Sequence, residues 1–373
     1  MQISQDFSNV KKVYIEPTTF CNLSCKTCMR NVWNTQQGRM THSTFQNIEK
    51  SILAIDPLPS VFLGGYGEPL SHPNILEMVT SLKTNGIKVE LITNGVLLDS
   101  YISQALVDLK VDRVWVSVDA ADSKSYQDIR QKSELPLVLN NVRSLQALRL
   151  KTAHRLPRLG ISFVAMKSNI EDFPEIVKIG RMFGVDHFSV SHVLAHTVDL
   201  SKEILYGNLL KENLEPSQYA PKISFPRIPF SDESEKYMVQ KTSSFFSYSI
   251  CDQDIRFGEN YCPFVNRSSI AIRWDGKVSP CLPLLHNHQY YLEDQVHYSF
   301  EHFVGDINSD TILSVWNKLS YQSFRQKLLN FDFSPCAYCN SCEMAFNNLE
   351  DCFGSGFPSC GKCLWAQGLI RCP

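Results

Sequence analysis

Between Cys28 and Cys251 the 373-residue chain has no cysteine at all. Three of its 13 cysteines lie in Cys21–Cys28, and the other ten fall between Cys251 and Cys372. An odd number of thiols gathered at two places suits a disulfide framework poorly and argues for metal. Charge of one sign is also missing. With 36 Lys and Arg against 38 Asp and Glu, the net charge is −2, which offers nucleic acid no basic surface. No charge block points to an anionic membrane. No apolar run reaches the roughly 18 residues of a membrane helix. The opening Met1–Lys12 lacks the apolar stretch of a secretory signal, so the expected location is cytoplasmic. No internal repeat or low-complexity tract interrupts the chain.

What is there is apolar and long. At 43% hydrophobic residues the chain can bury a large core, and its length fits two domains. Strands are expected at Val13–Ile15, Ser60–Leu63, Lys88–Thr93, Arg113–Val118, Arg158–Ala165 and His187–Ser191. These runs lack strict alternation, as strands buried on both faces of a parallel sheet do. Amphipathic helices are expected between them. Their stripes are Phe45, Ile48, Ile52 and Leu53 (capped by Thr41 or Ser43); Ile75, Val79 and Leu82 (stopped by Asn85-Gly86); Tyr101, Ala105 and Leu109; Val138, Val142, Leu145 and Leu148; and Ile176, Ile179 and Phe183. Six βα units in series imply a parallel α/β sheet, open or partly closed into a barrel. Prolines punctuate residues 197–250, read as a linker or insertion with a short helix near Ser201–Leu210. From Cys251 onward the elements shorten. A hairpin is expected over Ser269–Val278 around Asp275-Gly276, and one amphipathic helix over Asp310–Leu329.

Three constellations carry chemistry. The first is Cys21-x3-Cys25-x2-Cys28, leaving the first strand. A structural zinc site takes four ligands, and no fourth cysteine or close-spaced histidine lies nearby. In a cubane [4Fe–4S] cluster, three cysteines would leave one iron open to a small chelating molecule. A loose zinc knuckle, or three unrelated thiols, is the bland alternative. The second is Leu63-Gly64-Gly65-Tyr66-Gly67-Glu68-Pro69, at the end of the second strand. Its glycines allow close approach or positive φ, and Glu68 offers a carboxylate to a cation. Thr93-Asn94-Gly95 and Ser117-Val118-Asp119 end the next two strands, on the side where such folds bind ligands. Lys167-Ser168-Asn169 is a weaker candidate, since Asn169 can simply cap a helix. The third constellation is the ten C-terminal cysteines.

The spacing of Cys21, Cys25 and Cys28 resembles that of the radical S-adenosylmethionine (SAM) enzymes. The resemblance implies a (β/α)6 partial barrel over residues 1–196. It implies a [4Fe–4S] cluster whose open iron is chelated by SAM, and reductive cleavage of SAM to a 5′-deoxyadenosyl radical. The run Gly64, Gly65, Gly67 and Glu68 resembles the family's loop for the SAM amino group. Asn94, Ser117 and Asp119 correspond to positions that contact its ribose and carboxylate. One departure is Thr27, where the family usually has an aromatic residue. Cys262-x13-Gly276-x4-Cys281 resembles the opening of a SPASM domain, which implies a small Cys-rich α+β module over residues 251–373 and auxiliary [4Fe–4S] clusters.

Cys336-x2-Cys339-x2-Cys342-x9-Cys352 departs from the usual SPASM spacing, so the ligand sets stay open. The expectation is two auxiliary clusters. One would use Cys262, Cys281 and Cys352, with Cys251. The other would use Cys336, Cys339 and Cys342, with one of Cys360, Cys363 or Cys372. Four-thiolate zinc sites are the alternative. His286 and His288 follow Cys281 and are weak candidates for protonating or binding substrate. Leu282 disfavours sulfatase maturation, which places an acidic residue there. The closing run Pro358–Pro373, with Tyr14–Thr19 and Cys28–Trp33, is similar to tungsten-cofactor maturases of aldehyde ferredoxin oxidoreductase. The implied partners are a peptide, protein or pterin-cofactor substrate and a reductase, ferredoxin or flavodoxin electron donor. A peptide maturase forming crosslinks or thioethers is an alternative. The 20 residues before Cys21 are too few for a leader-binding domain. A non-catalytic zinc or iron–sulfur protein is a further alternative, and the final acid or base is unknown.

Overall fold

The computed structural model describes residues 9–33, 35–206, 261–292, 295–334, 336–338 and 342–372. Six parallel strands alternate with helices: β1 (Lys12–Ile15), β2 (Ser60–Leu63), β3 (Val89–Thr93), β4 (Arg113–Ser117), β5 (Arg158–Ala165) and β6 (Val185–His192). The first five lie side by side in sequence order, β6 follows at the end, and among the described residues the row does not close on itself. This is the expected α/β partial barrel. Val13, Tyr14 and Ile15 are all buried, because both faces of β1 and both of its edges are covered.

The helices are α1 (His42–Leu53), α2 (Ile75–Thr84), α3 (Ser100–Asp108), α4 (Ser123–Ile129), α5 (Leu135–Leu150), α6 (Phe173–Met182) and α7 (Val198–Ser201). Thr41 caps α1 by accepting the Thr44 amide hydrogen. Gly86, at φ +77°, lets the chain leave α2. Two stripes differ from expectation. Tyr101 is 72% exposed, and α3 instead buries Ser103, Leu106 and Val107, an overlapping helical face that the same spacing permits. Leu53, in the last turn of α1, is also exposed. Helix α4 was not expected; seven residues are too few to show a period, and its start depends on the Asp122 side chain accepting from Lys124 and Ser125.

The C-terminal region adds α8 (Pro263–Asn266), β7 (Ser269–Ile272), β8 (Lys277–Ser279), β9 (His288–Leu292), β10 (Gln295–Ser299), β11 (Gly305–Asp306), α9 (Ile312–Trp316) and α10 (Leu319–Asn330). The expected β7–β8 hairpin is present, but it does not stand apart. Strand β7 pairs in parallel with β1, so β7, β8 and β11 extend the barrel sheet to nine strands. Its sequence Ser-Ile-Ala-Ile is wholly buried, as an interior strand requires. The single helix expected over Asp310–Leu329 is broken after Trp316. The Arg325 guanidinium lies 3.7 Å from the Trp316 ring and donates to the Trp316 carbonyl at 2.7 Å, taking an acceptor that a continuous helix would use. Leu319, the first residue of α10, is 80% exposed. Most of the linker at 197–250 lies outside the described residues. No helix among the described residues is long and apolar enough to cross a membrane.

Candidate active site

The chain leaves β1 through Glu16 and Pro17 and folds back in a tight loop. Thr18 donates to the Gly38 carbonyl, and the Phe20 amide donates to Thr18 Oγ1. Cys21 Sγ accepts from the Leu23 amide at 3.3 Å, and the Cys28 amide donates to the Cys25 carbonyl at 3.1 Å. Cys21, Cys25 and Cys28 are all free and part-buried. Burial raises the thiol pKa of Cys21, and it raises that of Cys25 to about 11, against the pull of Arg130. Cys21 and Cys25 therefore keep their protons until a cation displaces them. Arg30 was not foreseen from the sequence. Its Nε donates to Cys28 Sγ at 3.3 Å, and its two Nη atoms donate to the carbonyls of Thr19 and Leu23 at 3.0 Å. Three soft donors with a cation beside them fit an anionic iron–sulfur group.

The glycine loop packs onto this cysteine loop. Gly64, Gly65 and Gly67 all avoid positive φ, so close approach alone explains them, and what approaches is protein. A Cβ at Gly67 would sit 2.0 Å from the Thr18 carbonyl oxygen, and one at Gly65 would strike Glu16. At Gly64 a Cβ would meet Phe62 and Ile92. The Glu68 amide donates to the Phe20 carbonyl at 2.8 Å, fastening one loop to the other.

Glu68 is 2% exposed. Its carboxylate accepts from the Asn94 amide at 2.7 Å and the Leu70 amide at 3.1 Å. Burial raises its pKa, with those amides pulling the other way. Among the described residues no cation pairs with it directly, though the Arg130 charge acts on it from farther off, and such a buried carboxylate suits a positively charged ligand group. Asn94 reaches the same place: its Nδ2 donates to Asn22 Oδ1 at 2.9 Å and lies 3.7 Å from Cys21 Sγ. The structure thus brings Glu68 and Asn94 to the cysteine loop.

Asp119 is differently engaged. It is fully buried, accepts from the Val164 amide, and pairs with Arg130 at 2.6 Å. Burial opposes the Arg130 charge, but the Asp119 carboxylate beside it holds the guanidinium protonated. A ribose contact from Asp119 has to compete with both partners. Ser117 ends β4 half-buried. Asn169 braces a turn, accepting from the Met166 amide and donating to the Asp119 and Val164 carbonyls.

The C-terminal thiols gather otherwise than expected. Cys262, Cys281, Cys360 and Cys363 are electrostatic neighbours and line one cavity with His288 and Tyr290. Burial pushes the Cys262 thiol up to about 12. Cys352 lies instead near Cys336, its Sγ 2.9 Å from Ser334 Oγ. Lys362 neighbours both Cys336 and Cys342. Cys372 receives the Trp365 indole N–H at 3.4 Å. Cys251 and Cys339 lie outside the described residues. Among the described residues no three His, Cys, Asp or Glu side chains close tightly enough to ligate one metal ion. Cys360 and Cys363 go with Cys262 because the Pro358–Cys372 tail runs back beside α8 and β6: the Tyr261 amide bonds the Ala366 carbonyl, and the His192 amide bonds that of Leu369.

Sequence reading also missed Glu16, Trp33 and Tyr66, which surround His286. His286 Nε2 lies 2.8 Å from Glu16 Oε2, with both side chains fully buried. No local pattern announces a pair 270 residues apart.

The model of the radical SAM superfamily matches residues 15–179, and that of the SPASM iron–sulfur cluster-binding domain matches residues 262–343. A tungsten-containing aldehyde ferredoxin oxidoreductase cofactor-modifying protein of Pyrococcus furiosus is 27% identical over 98% of this chain and 97% of its own length. A probable GTP 3′,8-cyclase of Methanocaldococcus jannaschii is 26% identical over 73% of this chain and 85% of its own. Among solved structures, Streptococcus suis SuiB bound to S-adenosylmethionine superposes with a TM-score of 0.57 at 17% identity, covering 89% of this chain and 71% of that one.

Proposed function

From the premise that the chain is a radical SAM enzyme with a SPASM domain, we propose that it is a maturase that cleaves SAM reductively and abstracts hydrogen from a cofactor or protein-bound substrate. The observation that carries this is the direct fastening of the three-cysteine loop, through the Phe20 carbonyl, to the backbone of Glu68, whose buried carboxylate has no ion-pair partner among the described residues. Cys21, Cys25 and Cys28 would hold a [4Fe–4S] cluster, which would supply the electron for reductive cleavage of bound SAM. The residues around it bind and orient. Glu68 takes the SAM ammonium. Asn94 sits between Cys21 and that ammonium site. Arg30 offsets thiolate charge and pins the loop. Arg130, paired with Asp119, keeps a positive charge near Cys25.

The relative covering nearly the whole chain favours the cofactor of a tungsten-containing aldehyde oxidoreductase as substrate. The auxiliary ligand sets we propose are Cys262, Cys281, Cys360 and Cys363 for one cluster, and Cys336, Cys339, Cys342 and Cys352 for the other. Free thiols and the need for a strong reductant fit a reducing cytoplasm with a ferredoxin- or flavodoxin-type donor. The test is to produce a tungsten-containing aldehyde oxidoreductase with and without this chain, anaerobically. A cofactor of altered mass and a higher activity only in the presence of active chain support the reading. An identical cofactor in both, while SAM is still cleaved, moves the substrate elsewhere.

A further inference from the structure

We propose that His286 is a positioning residue for the SAM site: from the C-terminal module it holds, through Glu16, the glycine loop that carries Glu68. This rests on the reading of that loop as the SAM site.

Glu16 follows β1 directly, and its amide donates to the Ile272 carbonyl of β7. Its carboxylate is 0% exposed, and a buried carboxylate is tolerated only when both oxygens are satisfied. Oε1 accepts the Tyr66 amide at 3.0 Å, inside the Gly64–Pro69 run. Oε2 meets His286 Nε2 at 2.8 Å. At that distance one proton is shared between Oε2 and Nε2, so each group is the other's hydrogen-bond partner. The Glu16 stem also lies flush against Gly65, where a Cβ would come within 2.6 Å.

The His286 ring is held from two further sides. Trp33, five residues past Cys28, stacks on it with centroids 4.2 Å apart and planes at 25°. Tyr66 meets it edge-on at 5.7 Å, and Trp33 meets Tyr66 at 5.1 Å. The His288 ring is bound to the His286 carbonyl at 3.0 Å, which fixes the backbone. One ring from the C-terminal module thus touches the exit of β1, the segment that follows the cysteine loop, and the glycine loop. Cys281 lies five residues before it, and the Tyr66 hydroxyl donates to the carbonyl of the adjacent Leu282 at 3.4 Å, a second contact between the two regions. Without His286, Glu16 Oε2 is left buried and unpaired. It relaxes by moving or by taking up a proton, and either change weakens its hold on the Tyr66 amide, two residues from Glu68.

The test uses the iron-loaded full chain, with SAM affinity read by equilibrium binding and by the change SAM makes in the electron paramagnetic resonance (EPR) spectrum of the reduced protein. His286→Ala should weaken SAM at least about tenfold, about 1.4 kcal/mol, with wild-type iron content and auxiliary-cluster signals. His286→Gln, which returns an N–H to Glu16, should recover most of that loss. In a cycle with Glu16→Gln, the His286→Gln effect should depend on the Glu16 partner. SAM affinity of His286→Ala within about twofold of wild type would overturn the proposal, as would a glutamine as poor as alanine. If His286→Ala fails to load iron, the cycle decides, and strictly additive losses refute the link. A wild-type chain that binds no SAM refutes the functional reading itself.

Discussion

Replacing Glu68 by glutamine keeps the side chain's shape and removes its charge. The carboxylate accepts two backbone amides, from Asn94 and Leu70, and burial raises its pKa. A glutamine amide turns an NH2 group toward one of those N–H donors, losing a hydrogen bond to a charged group worth about 1.5–3 kcal/mol. It also relieves a buried charge, so the unliganded protein should change by no more than about 2 kcal/mol. SAM gains no such relief. Its ammonium loses a charged partner worth about 1.5–3 kcal/mol, which is about 10- to 150-fold in affinity. The pH dependence has a definite sign. A carboxyl with a raised pKa binds its proton more tightly in the folded chain, so the unliganded wild type loses stability as pH rises through that value. SAM needs the ionised form, so its affinity should fall as pH is lowered through the same value. In Glu68→Gln both dependences should flatten. Anaerobic equilibrium binding of SAM across pH, beside thermal melts, measures both. A glutamine variant that binds SAM like wild type, with the same pH profile, would refute the assignment of Glu68 to the ammonium.

Other outcomes follow from the same contacts. Gly67→Ala should abolish SAM cleavage while the chain still folds, because the new Cβ displaces the Thr18 carbonyl and with it the cysteine loop; 5′-deoxyadenosine yield and circular dichroism separate the two. Arg130→Met should cost about 3–5 kcal/mol in denaturant unfolding, because Asp119 is left buried without its partner. Cys363→Ala should lower the iron content by about one four-iron cluster, whereas Cys372→Ala should leave it unchanged. Equal iron loss from both would break the proposed ligand set.

Local chemistry was legible in the sequence and distant pairing was not. Runs such as Ser60–Leu63 and Arg158–Ala165 became strands at the same bounds, because a buried parallel strand writes its identity as a continuous apolar stretch. The loop of Cys21, Cys25 and Cys28, and the adjacent Glu68, showed themselves through spacing that a single loop dictates. The union of β7 with β1 was hidden, since Ser269–Ile272 reads only as half of a hairpin, and nothing in it names the strand across its other edge. The face of α3 was ambiguous because two overlapping stripes fit one period. The grouping of Cys360 and Cys363 with Cys262 depends on where the C-terminal tail docks. Likewise Glu16 is one polar residue at a strand end until His286 folds against it.

The most direct measurement is 5′-deoxyadenosine formed from SAM by the anaerobically reconstituted, dithionite-reduced chain, beside a variant in which Cys21, Cys25 and Cys28 are all alanine. The wild type should release 5′-deoxyadenosine. The variant should release none and keep the iron of its C-terminal thiols. No 5′-deoxyadenosine from the iron-replete wild type, or an equal yield from the variant, would contradict a SAM-cleaving centre in the Cys21–Cys28 loop.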